Sequence, residues 1–201
     1  ESLWITGEQA RRDVQLLRAR SEAILTGVGT VRADNPSLNV RLSSEELGIE
    51  QDVIQPLRVV VDSELKTPED ARMLSLEGLT LLVSGREGLQ QEQKLSKTGA
   101  ELVCCPGAGG RVDLEALLKE LASREVNEVH VEAGEQLCGA LLEYGLVDEV
   151  IIYMAVHIMG SSGKGLFDMP SIKSMSQRKA MKIIDIRAVG KDWRITARPE
   201  H

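Results

Sequence analysis

Aromatic residues are nearly missing from this chain: one Phe, two Tyr and two Trp among 201 residues. A surface that stacks bases needs exposed rings, so the scarcity argues against a base-stacking nucleic-acid platform. The net charge of −7 also disfavours nonspecific attraction to a polyanion. Cysteine is scarce. Its three copies, two adjacent at Cys104 and Cys105, make no disulfide framework and suit a reducing cytoplasm. No apolar run approaches the ~20 residues of a membrane-spanning helix, and no signal-peptide pattern is visible. Missing too are a Walker A sequence, a complete G-x-G-x-x-G after a strand, and G-x-S-x-G. His130-Val131-Glu132 gives half of a zinc-deaminase signature. Its cysteine partners, Cys104-Cys105-Pro106, come too early and in the wrong order, so no metal site is read.

With 42% apolar residues and so few rings, the core has to be built from Leu, Val, Ile and Ala. Hydrophobic period and breakers give a strand–helix rhythm. The pattern predicts a short strand at Trp4-Ile5-Thr6 and a helix through about Arg20, studded with Arg11, Arg12, Arg18 and Arg20. It continues with strand Ala23–Leu25, a helical turn at Ser44–Gly48, and a β-branched strand from Arg58 to Ser63. Then come strand Leu79–Val83, a polar helix Glu87–Thr98, and strand Glu101–Cys105. Asp113 caps an amphipathic helix carrying Leu114, Leu117, Leu118 and Leu121. Strand Glu128–Val131 leads to a helix from Glu135 to about Tyr144. From there the rhythm changes: Glu149–Met159 reads as one long strand. Lys182–Val189 and Trp193–Ala197 follow, joined by the hairpin signal Gly190-Lys191-Asp192. The pattern implies a single α/β domain, residues 1–201: a mixed, mostly parallel sheet with helices on both faces and a C-terminal antiparallel hairpin. Glu1 is not an initiator Met, and the chain reads as a piece of a longer polypeptide.

Two strand ends carry the chemistry. After Ala23–Leu25 the chain turns through Thr26-Gly27-Val28-Gly29-Thr30 and lays down Arg32, Asp34, Asn35-Pro36 and Arg41. Glycines allow backbone amides to approach an anion, and Arg32 and Arg41 add paired donors. After Val131 come Glu132, Ala133 and Gly134, and a helix starts at once, offering amides and a dipole to a diphosphate. Asp34 and Glu132 are the candidate catalytic carboxylates, each just past a strand–turn. The plainer reading makes Asp34 a turn cap and Glu132 a polar group at a sheet end. The cysteines fill buried space, and His130 and His157 read as structural.

These segments, with the pattern T-x(3)-T-x(3)-D-[ND]-P-x-L-x-x-R and V-E-x-G, resemble the reductase half of the bifunctional riboflavin-biosynthesis deaminase–reductase along essentially the whole chain. The resemblance implies a dihydrofolate-reductase-like fold, NADPH as cofactor, and a homodimer. The implied reaction reduces the ribose of 5-amino-6-(5-phosphoribosylamino)uracil to a ribityl chain. It places Ser2, Arg18, Leu38, Arg41 and Glu132 at the substrate, the arginines gripping its phosphate. Trp4, Thr30, Asp34 and Ser63 fall at the cofactor, with Gly134, Glu135, Gln136, Leu137 and Gly139 in the turn that receives its phosphates. Ser63 and Arg86 are candidates for the 2′-phosphate. Ala133 departs from the family's V-E-G-G and suits the site only if that residue has negative φ. The family's upstream strand and zinc deaminase half are absent from this chain. A pterin reductase of the same fold and a noncatalytic nucleotide-binding domain are the competing readings.

Overall fold

The computed structural model describes residues 5–158, 163 and 165–200. Gly7, in extended conformation, is the N-cap of α1 (Glu8–Arg20), and its amide donates to Asp192 Oδ2 at 2.6 Å. That bond ties the helix start to the C-terminal hairpin. Ser21 closes the helix: its hydroxyl donates to Leu17 O at 2.9 Å and its amide to Arg18 O.

Five short strands then form a parallel sheet: β1 (Ala23–Gly27), β2 (Leu57–Val61), β3 (Thr80–Ser84), β4 (Glu101–Cys104) and β5 (Val129–Val131). Their order is β4-β3-β2-β1-β5. Leu25 therefore lies opposite Val59 on one side and Val131 on the other. Alternation along the strands sends successive residues to opposite faces, and both faces are covered. Ala23, Leu25, Val59, Leu81 and Val83 pack on α5 (Leu114–Ser123) and α6 (Glu135–Glu143) through Leu117, Leu121 and Leu141. Ile24, Val60 and Leu82 pack on Val31, Leu38, Leu65, Met73 and Leu95.

The C-terminal strands β6 (Val150–Met154), β7 (Met181–Val189) and β8 (Asp192–Pro199) form an antiparallel ladder in the order β6-β8-β7. The expected hairpin turns through Gly190, at φ +65°, with Val189 opposite Asp192. The α/β architecture is as the sequence predicts, with three antiparallel strands where the hairpin alone was expected. Among the described residues β5 pairs only with β1 and β6 only with β8, so each keeps one unpaired edge.

Several boundaries differ from the sequence reading. The Gly-rich turn after β1 is a helix, α2 (Val28–Asp34). Its Gly, Val and Thr residues are poor helix formers, but burying Val31 in the core overrides propensity. Strand β2 ends at Val61: the Asp62 amide still donates to Val83 O, but its carboxylate accepts from Lys66 N, Thr67 N and Thr67 Oγ1 and turns the chain away. The polar helix is short, α4 (Glu92–Ser96), since Gly88 turns with φ +72° and Leu89 N bonds to Glu92 Oε1. The long strand reduces to β6, with 155–158 irregular and Met159 outside the described residues. Of the first predicted strand, Trp4 is outside them too, and Ile5 and Thr6 form a bend. The helical turn at 44 is α3 (Ser44–Leu47), closed by a capping box from Ser43 and Glu46.

Arg58 is a cation inside the sheet, 1% exposed, and among the described residues no carboxylate pairs with it. Its guanidinium donates to Thr80 Oγ1 (2.9 Å), Glu77 O (2.8 Å), Leu76 O (3.1 Å) and Gly78 O (2.5 Å). A buried charge survives only with its donors satisfied, and here a ring of carbonyls does that.

Candidate active site

Because β1 lies between β2 and β5, the turns that follow β1 and β5 become neighbours at the carboxyl end of the sheet. Thr26 Oγ1 donates to Glu132 O at 2.8 Å, and Glu132 N to Leu25 O at 2.9 Å. Gly27 lies against Leu137: a Cβ there would sit 3.6 Å from Leu137 Cδ2. A Cβ on Gly134 would sit 3.9 Å from Thr30 Oγ1. The two segments singled out in the sequence thus stand side by side at the carboxyl end of the sheet. Thr30 and Asp34 are four residues apart on α2 and share a face.

Glu132 is the centre of a charged knot. Arg18 Nε and Nη2 each donate to one of its carboxylate oxygens at 2.6 Å, and Arg18 Nη1 donates to Asn39 O at 2.9 Å. This is the bidentate fork that makes Arg–carboxylate pairs strong. His130 Nε2 lies 3.2 Å from Glu132 Oε1, off the geometry of a good hydrogen bond. Burial pushes the Glu132 carboxyl up, but Arg18 and His130 outweigh it and bring it down to about 2. Glu132 is therefore ionised at neutral pH and is an acceptor, not a proton donor.

Arg18 has all three guanidinium nitrogens engaged, whereas Arg41 is exposed. Gln15 Oε1 accepts from Arg41 N at 2.8 Å, so α1 holds the Arg41 loop through one residue and Glu132 through another. Leu38 takes φ +47° and buries its side chain in the core, at a cost of about 1–3 kcal/mol of backbone strain. Asn39 Oδ1 is buried with no hydrogen-bond partner, an acceptor that a ligand donor would satisfy.

The residues fit a dinucleotide. Gly134 is exposed and caps α6 without a side-chain bond, so the first amides of that helix have no internal partner. A Cβ on Gly29 would meet nothing within 4 Å, which leaves the backbone open to approach. Ala133 is not among the residues with positive φ, so its departure from V-E-G-G costs no strain. Glu135 and Gln136 would serve through backbone amides, with Leu137 as packing. Gly139 is buried against the Asp168 backbone. Ser63 accepts from Val112 N at 3.2 Å and keeps its hydroxyl proton free to donate. Ser2 and Trp4 lie outside the described residues.

Gln15 and Asn39 join the site without having been singled out, and His130, read from the sequence as structural, lies beside Glu132. Gln15 stands three residues before Arg18 on α1, a spacing that would have found it. Nothing in the sequence marks Asn39. Among the described residues no helix is long and apolar enough to cross a membrane, and no cluster of His, Cys, Asp and Glu is placed to hold a metal ion.

The chain matches the model of the RibD C-terminal domain over residues 1–195. It is 40% identical over 197 residues to the riboflavin biosynthesis protein RibD of Escherichia coli (strain K12), covering 96% of this chain and 53% of that protein. It is 34% identical over 205 residues to the 5-amino-6-(5-phosphoribosylamino)uracil reductase of Buchnera aphidicola subsp. Acyrthosiphon pisum, covering all of this chain and 97% of that one. The structure of Acinetobacter baumannii RibD, form 2, superposes with a TM-score of 0.83 at 32% identity, over all of this chain and 52% of that one. The chain spans about half the length of the RibD relatives it matches. On a family match across nearly its whole length and a crevice assembled from the family's own motifs, this chain belongs to the RibD C-terminal domain family.

Proposed function

We propose that this chain is the reductase acting on 5-amino-6-(5-phosphoribosylamino)uracil in riboflavin biosynthesis, using NADPH to convert the ribosyl group to a ribityl chain. The observation that carries the reading is the Arg18–Glu132 pair standing just past β5, two residues before Gly134, whose missing side chain would face Thr30. The Buchnera relative, matched over almost its full length, bears that substrate in its name.

Bound, a reduced nicotinamide supplies the hydride that C1′ of the ring-opened sugar accepts. The chain's own residues supply position. Arg41, exposed and pinned at its backbone by Gln15, anchors the substrate phosphate. Arg18 fixes the carboxylate of Glu132, which accepts hydrogen bonds from sugar hydroxyls. Since Glu132 stays ionised, proton relay falls to Asp34, exposed at the end of α2. Thr30 and the amides at Gly134–Gln136 hold the cofactor phosphates. No observation favours a pterin reductase or a noncatalytic domain over this reading.

We further propose that the domain is the reductase half of a longer cytoplasmic chain that begins with a zinc deaminase. The free edges of β5 and β6 are where an upstream strand would pair. The apolar outer strand β7, with Ile183, Ile184 and Ile186 all about half exposed, suits a homodimer contact.

The test is NADPH oxidation with the authentic phosphoribosylaminouracil. Turnover that depends on both components supports the assignment. Oxidation that ignores the substrate, or none from the full-length chain either, overturns it.

A further inference from the structure

Strand β5 carries a titratable side chain that the proposed reaction leaves unused. His130 and Glu132 are two residues apart along the strand and so share a face. Val129 and Val131 point the other way, into the core beneath α5 and α6. Alternation puts Glu128 on the histidine's face too, where its Oε1 accepts from Ser21 Oγ at 3.3 Å. Across the ladder His130 stands opposite Ile24, an aliphatic with no exposed surface. The His130 side chain is 18% exposed, yet its Nε2 is buried and has no well-formed hydrogen bond. The inward nitrogen is therefore the one short of a partner, and solvent reaches only the rest of the ring.

The charged acceptor within its reach is Glu132 Oε1, at 3.2 Å. Arg18, the other charged neighbour of that carboxylate, can only donate: Nε to Oε1, Nη2 to Oε2 and Nη1 to Asn39 O. A bare ring nitrogen would set its lone pair against a carboxylate oxygen, so Nε2 carries a proton. Histidine χ2 is a broad torsion, and a small turn of the ring aligns the bond. A carboxylate oxygen has two lone-pair positions. Arg18 Nε and His130 Nε2 then fill both positions on Oε1, whereas Oε2 holds Arg18 Nη2 alone and keeps one open. After Arg18, His130 is the group that brings the Glu132 carboxyl down against its burial.

Building on the proposed reaction, in which Glu132 accepts from sugar hydroxyls, we infer that His130 is a positioning residue whose Nε2–H occupies Glu132 Oε1 and leaves Oε2 as the oxygen that receives the substrate. The fork of Arg18 fixes the plane of the carboxylate but leaves one lone pair open on each oxygen. His130 closes one of the two. The sugar is thereby held in one register instead of two, which favours binding in the reactive geometry.

Two measurements test this, the first without turnover. Long-range proton–nitrogen NMR correlation separates protonated from bare imidazole nitrogens. The chain holds three histidines, so replacing His157 and His201 leaves His130 alone in the spectrum. At alkaline pH its Nε2 should be protonated, with an N–H signal slow to exchange. Saturating substrate should leave that signal in place, because the hydroxyl goes to Oε2. A bare Nε2, or loss of the signal when substrate binds, overturns the inference, and this holds even where a variant at position 130 fails to fold. Steady-state kinetics is the second. His130→Leu should raise the KM for the phosphoribosylaminouracil by roughly fivefold to tenfold with kcat within about twofold, the pattern of lost uniform binding. The KM for NADPH should not move. His130→Gln, whose amide can place a donor where Nε2 stands, should return the KM to within about twofold of wild type. An unchanged KM in the leucine variant, or a glutamine variant as impaired as the leucine one, overturns the inference and leaves the function reading intact. If the wild type turns over no substrate, both fall.

Discussion

Arg18, on the first helix, grips the carboxylate of Glu132, at the end of the fifth parallel strand, through two 2.6 Å bonds. The pair is mostly buried, at 10% and 24% side-chain exposure, so each partner is a liability without the other. Because the folded-state pKa of Glu132 is depressed to about 2, its contribution is fully present above the unfolded value near 4.5. It is lost as pH falls from there toward 2. The Glu132→Gln protein should be less stable than wild type by about 3 kcal/mol at pH 7, from a stranded buried arginine. The gap should close as pH falls through that window. Urea denaturation at a series of pH values reads it; a gap that widens on acidification contradicts the pairing.

Arg41 behaves differently, since only its backbone is held. Arg41→Ala should raise the KM for the phosphorylated substrate by about tenfold or more, the loss of a charge-assisted phosphate contact. Its melting temperature should not move. Steady-state kinetics beside a thermal melt checks both, and an unchanged KM takes Arg41 out of the phosphate site.

Two glycines of one helix segment should part company. At Gly139 a Cβ would run into the backbone of Asp168, so Gly139→Ala should destabilise by about 1–3 kcal/mol. Gly134 has φ −76°, and a methyl there would meet only Thr30 Oγ1, at 3.9 Å, so Gly134→Ala should fold as well as wild type. It should weaken cofactor binding in a titration, because the methyl would stand in the path of the phosphates.

Asp13 anchors α1 to the antiparallel ladder, accepting from Tyr153 Oη at 2.5 Å and Arg194 Nη1 at 3.0 Å. Burial and the Asp13 charge push the Tyr153 hydroxyl up, so it remains a donor. Tyr153→Phe should cost about 1–3 kcal/mol, as for a hydrogen bond to a charged group. For a domain of this size that lowers Tm by roughly 2–10 °C, measurable by calorimetry.

If β7 is the homodimer contact, the double variant Ile184→Lys, Ile186→Lys should be monomeric in sedimentation velocity at concentrations where wild type is dimeric. Persisting dimers would move the contact elsewhere.

The alternation of strands and helices was legible because apolar runs such as Val59-Val60-Val61 and the leucine spacing of α5 are strong local signals. The two turns that become neighbours were legible as well, since Gly27–Thr30 and Glu132–Gly134 each follow a strand. Helix α2 was not, because Val28-Gly29-Thr30 favours helix only once Val31 has a core to enter. The engagement of Arg18 with Glu132 was equally hidden: the two are 114 residues apart, and a cation in sequence reads the same whether it awaits a phosphate or already holds a carboxylate. Burial of Arg58 within a hydrophobic strand depends on carbonyls some 20 residues downstream, which no local pattern announces.

Helix α1 touches the antiparallel ladder through Asp13, the Arg41 loop through Gln15 and the end of the parallel sheet through Arg18. A rigid rod of six residues, roughly 9 Å long, thus couples the antiparallel strands to the Arg18–Glu132 pair. Any rearrangement of those strands on assembly would be transmitted as a tilt of the rod, and a tilt shifts Glu132 and Arg41 together. Catalytic alignment and quaternary state would then vary as one quantity.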